Sequence, residues 1–160
     1  MSKGMELDEL SDFLKNRAAN IESCIETAIK QCGEKIRSDI QYDMAHTPRN
    51  MERTYYTNNK TKGHHPSMPE NPPAPDTGNL RESIRYEVHK EGGEVYGIVG
   101  STQKDPNYAV YTEYGTSSGG WGGKGMAPRP WLRPAMRKNN DFIRSTISKA
   151  VKRTLEGAAK

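Results

Sequence analysis

Nine apolar residues form one continuous stripe near the start of the chain, and this stripe constrains the fold more than any other feature. Between residues 5 and 45 they recur at steps of three, four or seven: Leu7, Leu10, Leu14, Ile21, Ile25, Ile29, Cys32, Ile36 and Ile40. The spacing predicts one amphipathic helix, which ends at His46-Thr47-Pro48 because a residue before proline leaves the helical region. A helix this long either breaks at its interior Gly33 or packs against a neighbour of comparable length.

A long irregular segment follows at residues 47–76. Five of the ten prolines fall between Pro66 and Pro75, and no apolar period runs through the segment. Around thirty residues without periodicity are unusual inside a compact domain. We therefore expect a mobile, proline-rich loop that becomes ordered in an assembly.

Two strands are predicted after this loop, at Ser83–Lys90 and Glu94–Ser101. Apolar residues alternate with charged ones in the first strand, and Val95, Ile98 and Val99 mark the second. Gly92-Gly93 joins them as a tight antiparallel hairpin.

Short and long helices surround this hairpin. A helical turn at Arg81–Ser83 precedes it, with Asp76 or Thr77 as the N-terminal cap. A short helix at Asn107–Tyr114 ends at Gly115 and leads into a glycine-rich loop, residues 115–127. The last helix begins between Pro130 and Pro134 and carries a second apolar stripe: Leu132, Met136, Ile143, Ile147, Val151 and Leu155.

The element order predicts an α+β fold in a single domain over residues 1–160, because no helix crosses over between the two strands. Only 32% of the residues are apolar and mean hydropathy is -0.94. A chain so lean in apolar residues either contains disordered segments or buries part of its surface against other chains. We expect neither a membrane span nor a secretory signal, and we expect Cys24 and Cys32 to be reduced.

Positive charge is concentrated at the end of the chain. Residues 121–160 hold ten Lys or Arg and two acidic residues, whereas residues 1–120 hold fourteen Lys or Arg and eighteen acidic residues. The pattern suits contact with nucleic acid or with an acidic protein surface, and it also suits a solvated helix face. The candidates for contact with DNA are Arg137, Lys138, Arg144, Lys149, Lys152 and Arg153.

The glycine tract does not predict a nucleotide site, although Gly120, Gly122 and Gly125 match the dinucleotide-binding spacing. Such a site needs a strand before the glycines and a helix directly after them. Metal ligands are not predicted either, since the histidines and cysteines are scattered or adjacent. Glu113 lies in an aromatic patch that could raise its pKa, and pairing with Arg129 or Arg133 is the simpler interpretation.

Aromatic residues cluster around the glycine tract. Five of the twelve lie within 24 residues: Tyr108, Tyr111, Tyr114, Trp121 and Trp131. Tyrosine and tryptophan are enriched at protein interfaces but also serve as core residues, and both roles stay open here. In the loop itself, Trp121 is the residue suited to contact a neighbouring subunit.

Three segments together resemble one protein family. They read Ala74-Pro75-Asp76-Thr77-Gly78-Asn79-Leu80-Arg81-x-Ser83-Ile84, Tyr108-Ala109-x-Tyr111-x-Glu113-Tyr114-Gly115-Thr116 and Met126-x-Pro128-Arg129-Pro130-Trp131-Leu132-Arg133-Pro134-Ala135. Their order and spacing are similar to the head–tail joining, or tail-completion, family of long-tailed bacteriophages, the gene product ten-like group. The resemblance covers roughly residues 7–155.

This resemblance implies a virion structural protein and no enzyme, cofactor or metal. It implies a ring of identical subunits at the neck, between the portal and the tail tube, with DNA passing through the channel. Neighbours would be other neck, portal-side and tail-tube proteins, in the virion and, during assembly, in the host bacterial cytoplasm. It also implies that the motif residues form a joint and subunit interfaces: Asp76, Gly78, Leu80, Tyr108, Tyr111, Glu113, Tyr114, Gly115, Thr116, Pro128, Arg129, Pro130, Trp131, Leu132 and Arg133.

Two other function classes stay open at this point. A nucleic-acid-binding module would use the basic C-terminal helix, and its binding would fall steeply with salt. A hydrolase would use the loop at residues 47–76 and would need a buried carboxylate pair or a metal beside it.

Overall fold

The α+β prediction is confirmed in a computed structural model of the chain. The structure describes residues 7–56, 63–103, 106–117 and 125–156. Its elements, in order, are α1 (Leu7–Ala45), β1 (Tyr55–Tyr56), β2 (Gly63–His64), α2 (Asn79–Ser83), β3 (Ile84–Glu91), β4 (Glu94–Ser101), α3 (Pro106–Tyr114), α4 (Leu132–Lys138) and α5 (Asn140–Glu156). No helix in these ranges is both long and apolar enough to cross a membrane.

The N-terminal stripe forms one unbroken helix of 39 residues. It does not break at Gly33, which is buried within the helix. Ion pairs one turn apart, such as Lys30 with Glu26 and Lys35 with Asp39, support its polar face. The helix stops where predicted, and its last turn is closed by the His46 amide donating to the Tyr42 carbonyl at 3.0 Å.

The segment at residues 47–76, expected to be irregular, contains antiparallel pairing in its described part. Tyr55 pairs with His64, and Arg49 forms an isolated bridge with Ser67. The Asn50 amide donates to the Pro66 carbonyl at 2.7 Å. Prolines are tolerated in such a ladder where they only accept hydrogen bonds. The mobility of this segment stays a prediction, and residues 57–62 lie outside the described ranges.

The hairpin agrees closely with the sequence prediction. Strands β3 and β4 form a two-stranded sheet joined by Gly92-Gly93. Both glycines have positive φ, 60° and 85°, as a two-residue hairpin turn of this hand requires. The predicted cap of α2 is wrong, because the N-cap position is occupied by Gly78 at φ 84° with no side-chain cap bond.

The C-terminal helix is interrupted, contrary to the prediction of one continuous helix. Asn139 separates α4 from α5 and is 2% exposed. Its side-chain Nδ2 donates to the Ala135 carbonyl at 3.0 Å and to Asp39 Oδ2 on α1 at 2.9 Å. A short polar side chain that bonds to a nearby carbonyl competes with the regular helical pattern, and here it ends α4.

The chain divides into two compact units, each built from separate stretches of sequence. The first unit takes its described residues from 1–33, 87–98 and 141–160, and the second from 34–86 and 99–140. In the part of the second unit that the structure describes, nine apolar residues are buried: Ile36, Ile40, Met44, Ala74, Leu80, Ile84, Ala109, Trp131 and Ala135. Among the described residues, the first unit buries only Ala28 and Cys32 to that extent. The single-domain expectation stays a prediction.

Within the first unit, α1 contacts both the hairpin and α5. Lys90 of the hairpin lies 2.7 Å from Glu26 and 3.3 Å from Glu22. The Arg17 side chain donates to the Leu155 carbonyl at 3.3 Å, near the end of α5. These contacts place α1 beside the hairpin and beside α5 within this unit.

Candidate functional site

The candidate site is a joint in the second unit, centred on the nine-residue helix α3. Ala109, Thr112 and Glu113 are buried on its inner face. The buried Thr112 hydroxyl donates a hydrogen bond to the Ala109 carbonyl at 2.9 Å, so it has a partner within α3 itself. The outer face carries exposed apolar and aromatic side chains instead: Val110, Tyr111 and Tyr114. Tyr108 is partly exposed and also lines a cavity of this unit.

Glu113 is the central residue of this joint and is 4% exposed. Its Oε2 accepts the backbone amides of Trp131 at 2.7 Å and Leu132 at 2.9 Å. Its Oε1 accepts the Arg133 amide at 3.1 Å and Arg133 Nε at 2.9 Å. The carboxylate therefore satisfies the free amides at the start of α4 from 18 to 20 residues away in sequence.

The ionised form of Glu113 is favoured in this environment. Burial on its own raises the pKa of the Glu113 carboxyl, but the hydrogen bonds from Leu132, Trp131 and Arg133 outweigh burial. The net pKa is lowered from its usual value of 4.5. Of the two possibilities for Glu113, a raised pKa is wrong and the simpler one, pairing with an arginine, is confirmed, because the amides and the Arg133 guanidinium contact the carboxylate directly.

Arg133 is one of the two arginines predicted to anchor Glu113, and it does so. Besides the Glu113 side chain, it holds the Glu113 carbonyl through Nη2 at 3.0 Å. Its guanidinium carbon also lies 4.6 Å from the centre of the Tyr114 ring, a cation–π contact. The guanidinium therefore links the buried carboxylate to the exposed aromatic face of α3.

Arg129 contacts a different part of the joint. Its amide donates to the Thr112 carbonyl at 2.7 Å, and its Nε lies 3.4 Å from the Ser67 carbonyl. The neighbouring Pro128 carbonyl accepts the Glu70 amide at 3.0 Å. The extended Pro128-Arg129-Pro130 segment thus ties α3 to the proline-rich segment, a connection that the sequence did not indicate.

The glycine-rich loop is closed at its base by two hydrogen bonds. The Thr116 amide donates to the Met126 carbonyl, and the Met126 amide donates to the Thr116 hydroxyl, both at 2.9 Å. A Cβ atom at Gly125 would lie only 1.9 Å from the Thr116 carbonyl oxygen, and Gly115 has φ 75°. The base of the loop is therefore held by Thr116 and depends on glycine at positions 115 and 125. Trp121, predicted to contact a neighbour, lies outside the described residues.

The first motif segment lies beside α3. Asp76, Gly78, Leu80 and Tyr108 line one cavity of the second unit, together with Met44. Leu80 is buried, whereas Asp76 is exposed and lies 3.8 Å from His64. The structure therefore brings the three motif segments into one unit, which supports their joint role without testing any subunit interface.

The aromatic cluster is divided between the core and the surface, and its role at a protein interface stays a prediction. Trp131 is 5% exposed and belongs to the core, with its indole Nε1 donating to the Ala109 carbonyl at 3.3 Å. Tyr111 and Tyr114 lie on the exposed face of α3, whereas Tyr108 is partly exposed and lines a cavity. The three-residue spacing of these tyrosines was visible in the sequence, but the side of the helix that is buried was not.

The basic residues proposed to face DNA fall into two groups. Arg144, Lys149, Lys152 and Arg153 are exposed along α5 in the first unit. Arg137 and Lys138 end α4 in the second unit, where Lys138 lies 3.4 Å from Asp43 on α1. Their contact with DNA stays a prediction.

No group of three or more potential metal ligands occurs within the described ranges. In the described part of the proline-rich segment, two ionisable side chains lie near each other: His64 Nδ1 is 3.8 Å from Asp76 Oδ1. The buried carboxylate Glu113 is already fully engaged by four donors. Its arrangement serves to fix the start of a helix.

Comparison with known families identifies the chain. Residues 8–115 match the model of the HK97-gp10-like family, described as "Bacteriophage HK97-gp10, putative tail-component". The match includes the first motif segment and the second as far as Gly115, and the resemblance of the third, residues 126–135, stays a prediction. Neither the curated proteins nor the solved structures contain a match. Since the matched range exceeds half of the chain, the protein belongs to the HK97-gp10-like bacteriophage family, and its role is structural.

Proposed function

We propose that this phage structural protein is a head–tail connector component, a neck or tail-completion subunit that assembles as a ring around the DNA channel. Family membership supports the phage structural role. The proposal adds the position at the neck, the ring and the channel.

The observation that supports assembly as a ring is the exposed outer face of α3. Val110, Tyr111 and Tyr114 are 51%, 46% and 62% exposed, and they lie on the same side of the helix. Tyrosine combines a large apolar body with a polar tip and is enriched in buried interfaces. Because the inner face of α3 is fixed by Glu113 and Trp131, this surface is presented by a rigid joint and needs little ordering on binding.

The channel part of the proposal rests on α5. Four exposed cations, Arg144, Lys149, Lys152 and Arg153, project from this helix. Lysine and arginine bind phosphate without reading base sequence, as passage of any DNA through a channel requires. We assign the inner surface of the ring to these residues and the ring contacts to the α3 face.

The proposed partners are further copies of the chain, other neck proteins, portal-side proteins and the tail-tube protein. The proposed location is the virion neck, after assembly in the host bacterial cytoplasm. The first unit buries few apolar residues, and contact with such neighbours would bury more of its apolar surface.

Co-expression with the portal-side and tail-tube proteins of the same phage tests the proposal. We expect negative-stain images of closed rings, or of tails capped at one end by this protein, and a mass that is a multiple of the subunit mass. A chain that stays monomeric at high concentration and binds none of these partners would overturn it. A variant with Tyr111→Ser and Val110→Ser should lose assembly and keep its unfolding temperature, because neither residue is buried.

The exposed cations of α5 favour a second candidate, a nucleic-acid-binding module that acts without a ring. Such a protein would bind DNA tightly as a monomer, with a steep loss of affinity as salt rises. The connector, by contrast, should bind DNA weakly as a single subunit and more strongly once assembled, when many subunits contribute cations.

A further inference from the structure

A second cavity of the second unit lies between the proline-rich segment and α3, and its volume is about 490 Å³. This volume is typical of pockets that take small ligands. Arg53 and Ser67 line it from the proline-rich segment, Tyr108 and Thr112 from α3, and Arg129 from the extended segment before α4. Because two arginines line this cavity, we call it the arginine cavity.

The backbone around the arginine cavity is fixed by hydrogen bonds between distant segments. The Arg129 amide donates to the Thr112 carbonyl at 2.7 Å, and the Asn50 amide donates to the Pro66 carbonyl at 2.7 Å. All four of these residues line the cavity. The walls are therefore formed before a ligand binds, so binding requires little ordering of the chain.

The charge of the lining is positive. Arg53 and Arg129 line the arginine cavity, and no Asp or Glu is among the described residues that do so. Asp76 lies 3.8 Å from His64 but lines the neighbouring cavity instead. Burial lowers the pKa of His64, so this side chain is mostly neutral at neutral pH. The two guanidinium groups therefore set the charge that a ligand meets.

Both guanidinium groups are available to a ligand. The ion pairs of this unit involve other side chains, such as Arg133 with Glu113, and within the described ranges neither Arg53 nor Arg129 has an acidic partner. The one contact of the Arg129 side chain, from Nε to the Ser67 carbonyl, is long at 3.4 Å. A guanidinium group matches the two oxygens of a carboxylate with parallel N–H donors.

Ser67 adds a hydroxyl donor at the wall of the arginine cavity. The residue is 1% exposed, and its hydroxyl has no hydrogen-bond partner in the described part of the chain. Buried hydroxyl groups nearly always have a partner, because an unpaired one loses its bonds to water without replacement. An unpaired hydroxyl beside two unpaired guanidinium groups marks a place for the oxygens of an anion.

The remaining wall restricts the kind of anion. Pro66, Pro69, Pro73 and Ala74 line the arginine cavity and present apolar surface. A phosphate group is hydrated on every side, and it would lose water against such a wall without gaining hydrogen bonds. A carboxylate on a short apolar stem, as in an Asp or Glu side chain, suits both parts of the lining.

We propose that the arginine cavity is a binding site for a carboxylate on a short apolar stem, held by Arg53 and Arg129 with the Ser67 hydroxyl as a further donor. The carboxylate is either the acidic side chain of a neighbouring protein or a free small carboxylic acid, and the chemistry of recognition is the same. The inference adds a ligand site to the proposed function and does not require the ring.

Binding of a blocked amino acid to the full chain tests the site. The probe is N-acetyl glutamate amide, and the matched control is N-acetyl glutamine amide, which has the same shape without the charge. Backbone amide signals of the isotopically labelled protein are followed by nuclear magnetic resonance. We expect saturable shifts at Ser67, Thr112 and Arg129 with the glutamate probe only. No saturable shift with this probe, or equal shifts with the glutamine control, would overturn the inference.

Inorganic phosphate at matched ionic strength tests the choice of a carboxylate. It should bind about tenfold more weakly than the glutamate probe, because its hydrated oxygens would meet the proline walls. Equal or tighter binding of phosphate would overturn the assignment.

Arginine variants locate the binding. Arg129→Gln and Arg53→Gln should each weaken binding of the glutamate probe by about tenfold, since each removes one charged donor. Arg53 is exposed, so its variant keeps the test valid if the Arg129 variant folds poorly. Arg85→Gln is the matched control, because Arg85 is exposed on β3 and does not line the cavity. Equal weakening in this control would show a general charge effect and overturn the site.

Ser67→Ala separates a ligand contact from a structural role. It should weaken binding of the glutamate probe by about threefold, and it should leave the unfolding temperature unchanged or raise it, because a buried hydroxyl without a partner is removed. A lower unfolding temperature with unchanged binding would overturn the role of Ser67 as a donor.

Assembly with the neck partners distinguishes the two sources of the carboxylate. If the source is a neighbouring protein, Arg53→Gln should weaken assembly and the glutamate probe should compete with it. If the source is a free carboxylic acid, Arg53→Gln should lose probe binding and assemble normally. Failure of the wild-type chain to assemble with any neck partner would overturn the proposed function, whereas the site would still be judged by probe binding to the isolated chain.

Discussion

The carboxylate of Glu113 lies 2.7 Å from the backbone nitrogen of Trp131, the residue before the first turn of α4. The two residues are 18 positions apart, on either side of the glycine-rich loop. The start of one helix is thus capped by the end of another, so the loop between them can vary without changing the joint. Glu113 is therefore the side chain on which the joint depends most.

Replacing Glu113 with Gln should destabilise the protein by about 2–4 kcal/mol, because one charged acceptor of several hydrogen bonds is lost and a buried amide is placed against backbone donors. Part of the ion pair with Arg133 is exposed to solvent, so the lower end of this range is expected. Urea unfolding followed by circular dichroism measures the change. Glu94→Gln, on the exposed hairpin, should change stability by less than about 0.5 kcal/mol.

The same residue predicts a pH dependence. Because the folded pKa of Glu113 is below its usual 4.5, its contribution to stability is present above that pH and is lost as pH falls through the folded pKa. The difference in stability between wild type and Glu113→Gln should therefore shrink progressively below about pH 4.5. Unfolding curves of both proteins between neutral and acidic pH test this. A difference that stays constant over the whole range would contradict it.

Gly125→Ala should open the base of the glycine-rich loop. Its new Cβ would lie 1.9 Å from the Thr116 carbonyl oxygen, so the backbone must move and the Thr116–Met126 hydrogen bonds must lengthen. We expect a loss of about 2 kcal/mol or more, measured by thermal unfolding. Gly100→Ala is the control, because a Cβ there meets nothing within 4 Å. An equal loss in both variants would show that the closure is unimportant.

Two positions on the stripe of α1 should respond very differently to truncation. Ile40→Ala removes a side chain that is 1% exposed and should cost about 2–5 kcal/mol. Leu14→Ala removes one that is 56% exposed and should cost less than about 0.5 kcal/mol in the isolated chain. Denaturant unfolding compares the two. A large loss at Leu14 in a monomer would mean that the start of α1 is covered within the chain.

Contact of α5 with DNA predicts a defined salt dependence. If all four of its exposed cations meet phosphates, the logarithm of affinity should fall with the logarithm of salt with a slope of about -3.6 per subunit. Arg144→Gln should reduce that slope by about one, and Lys152→Gln should do the same. Fluorescence anisotropy with duplexes of two unrelated sequences measures both the slope and the absence of sequence preference. Arg53→Gln, on the proline-rich segment, should leave the slope unchanged.

The element pattern was readable from the sequence because it depends on local rules. The stripe of α1, its end before Pro48 and the Gly92-Gly93 hairpin are set by apolar spacing and by backbone freedom at single residues. The pairing of Glu113 with Arg133 was also predicted, as one of two options. The interruption at Asn139 was not, because it depends on a hydrogen bond to Asp39, one hundred residues away.

The sequence by itself determined α1, α3 and the hairpin, and it marked the motif residues of the joint. Only the tertiary structure decided that Trp131 is buried while Tyr111 and Tyr114 are exposed, since aromatic residues suit both environments. It also decided that the stripe of α1 is covered at Ile40 and open at Leu14. The physical reason is that periodicity selects a face of a helix, whereas burial depends on which distant segments reach that face.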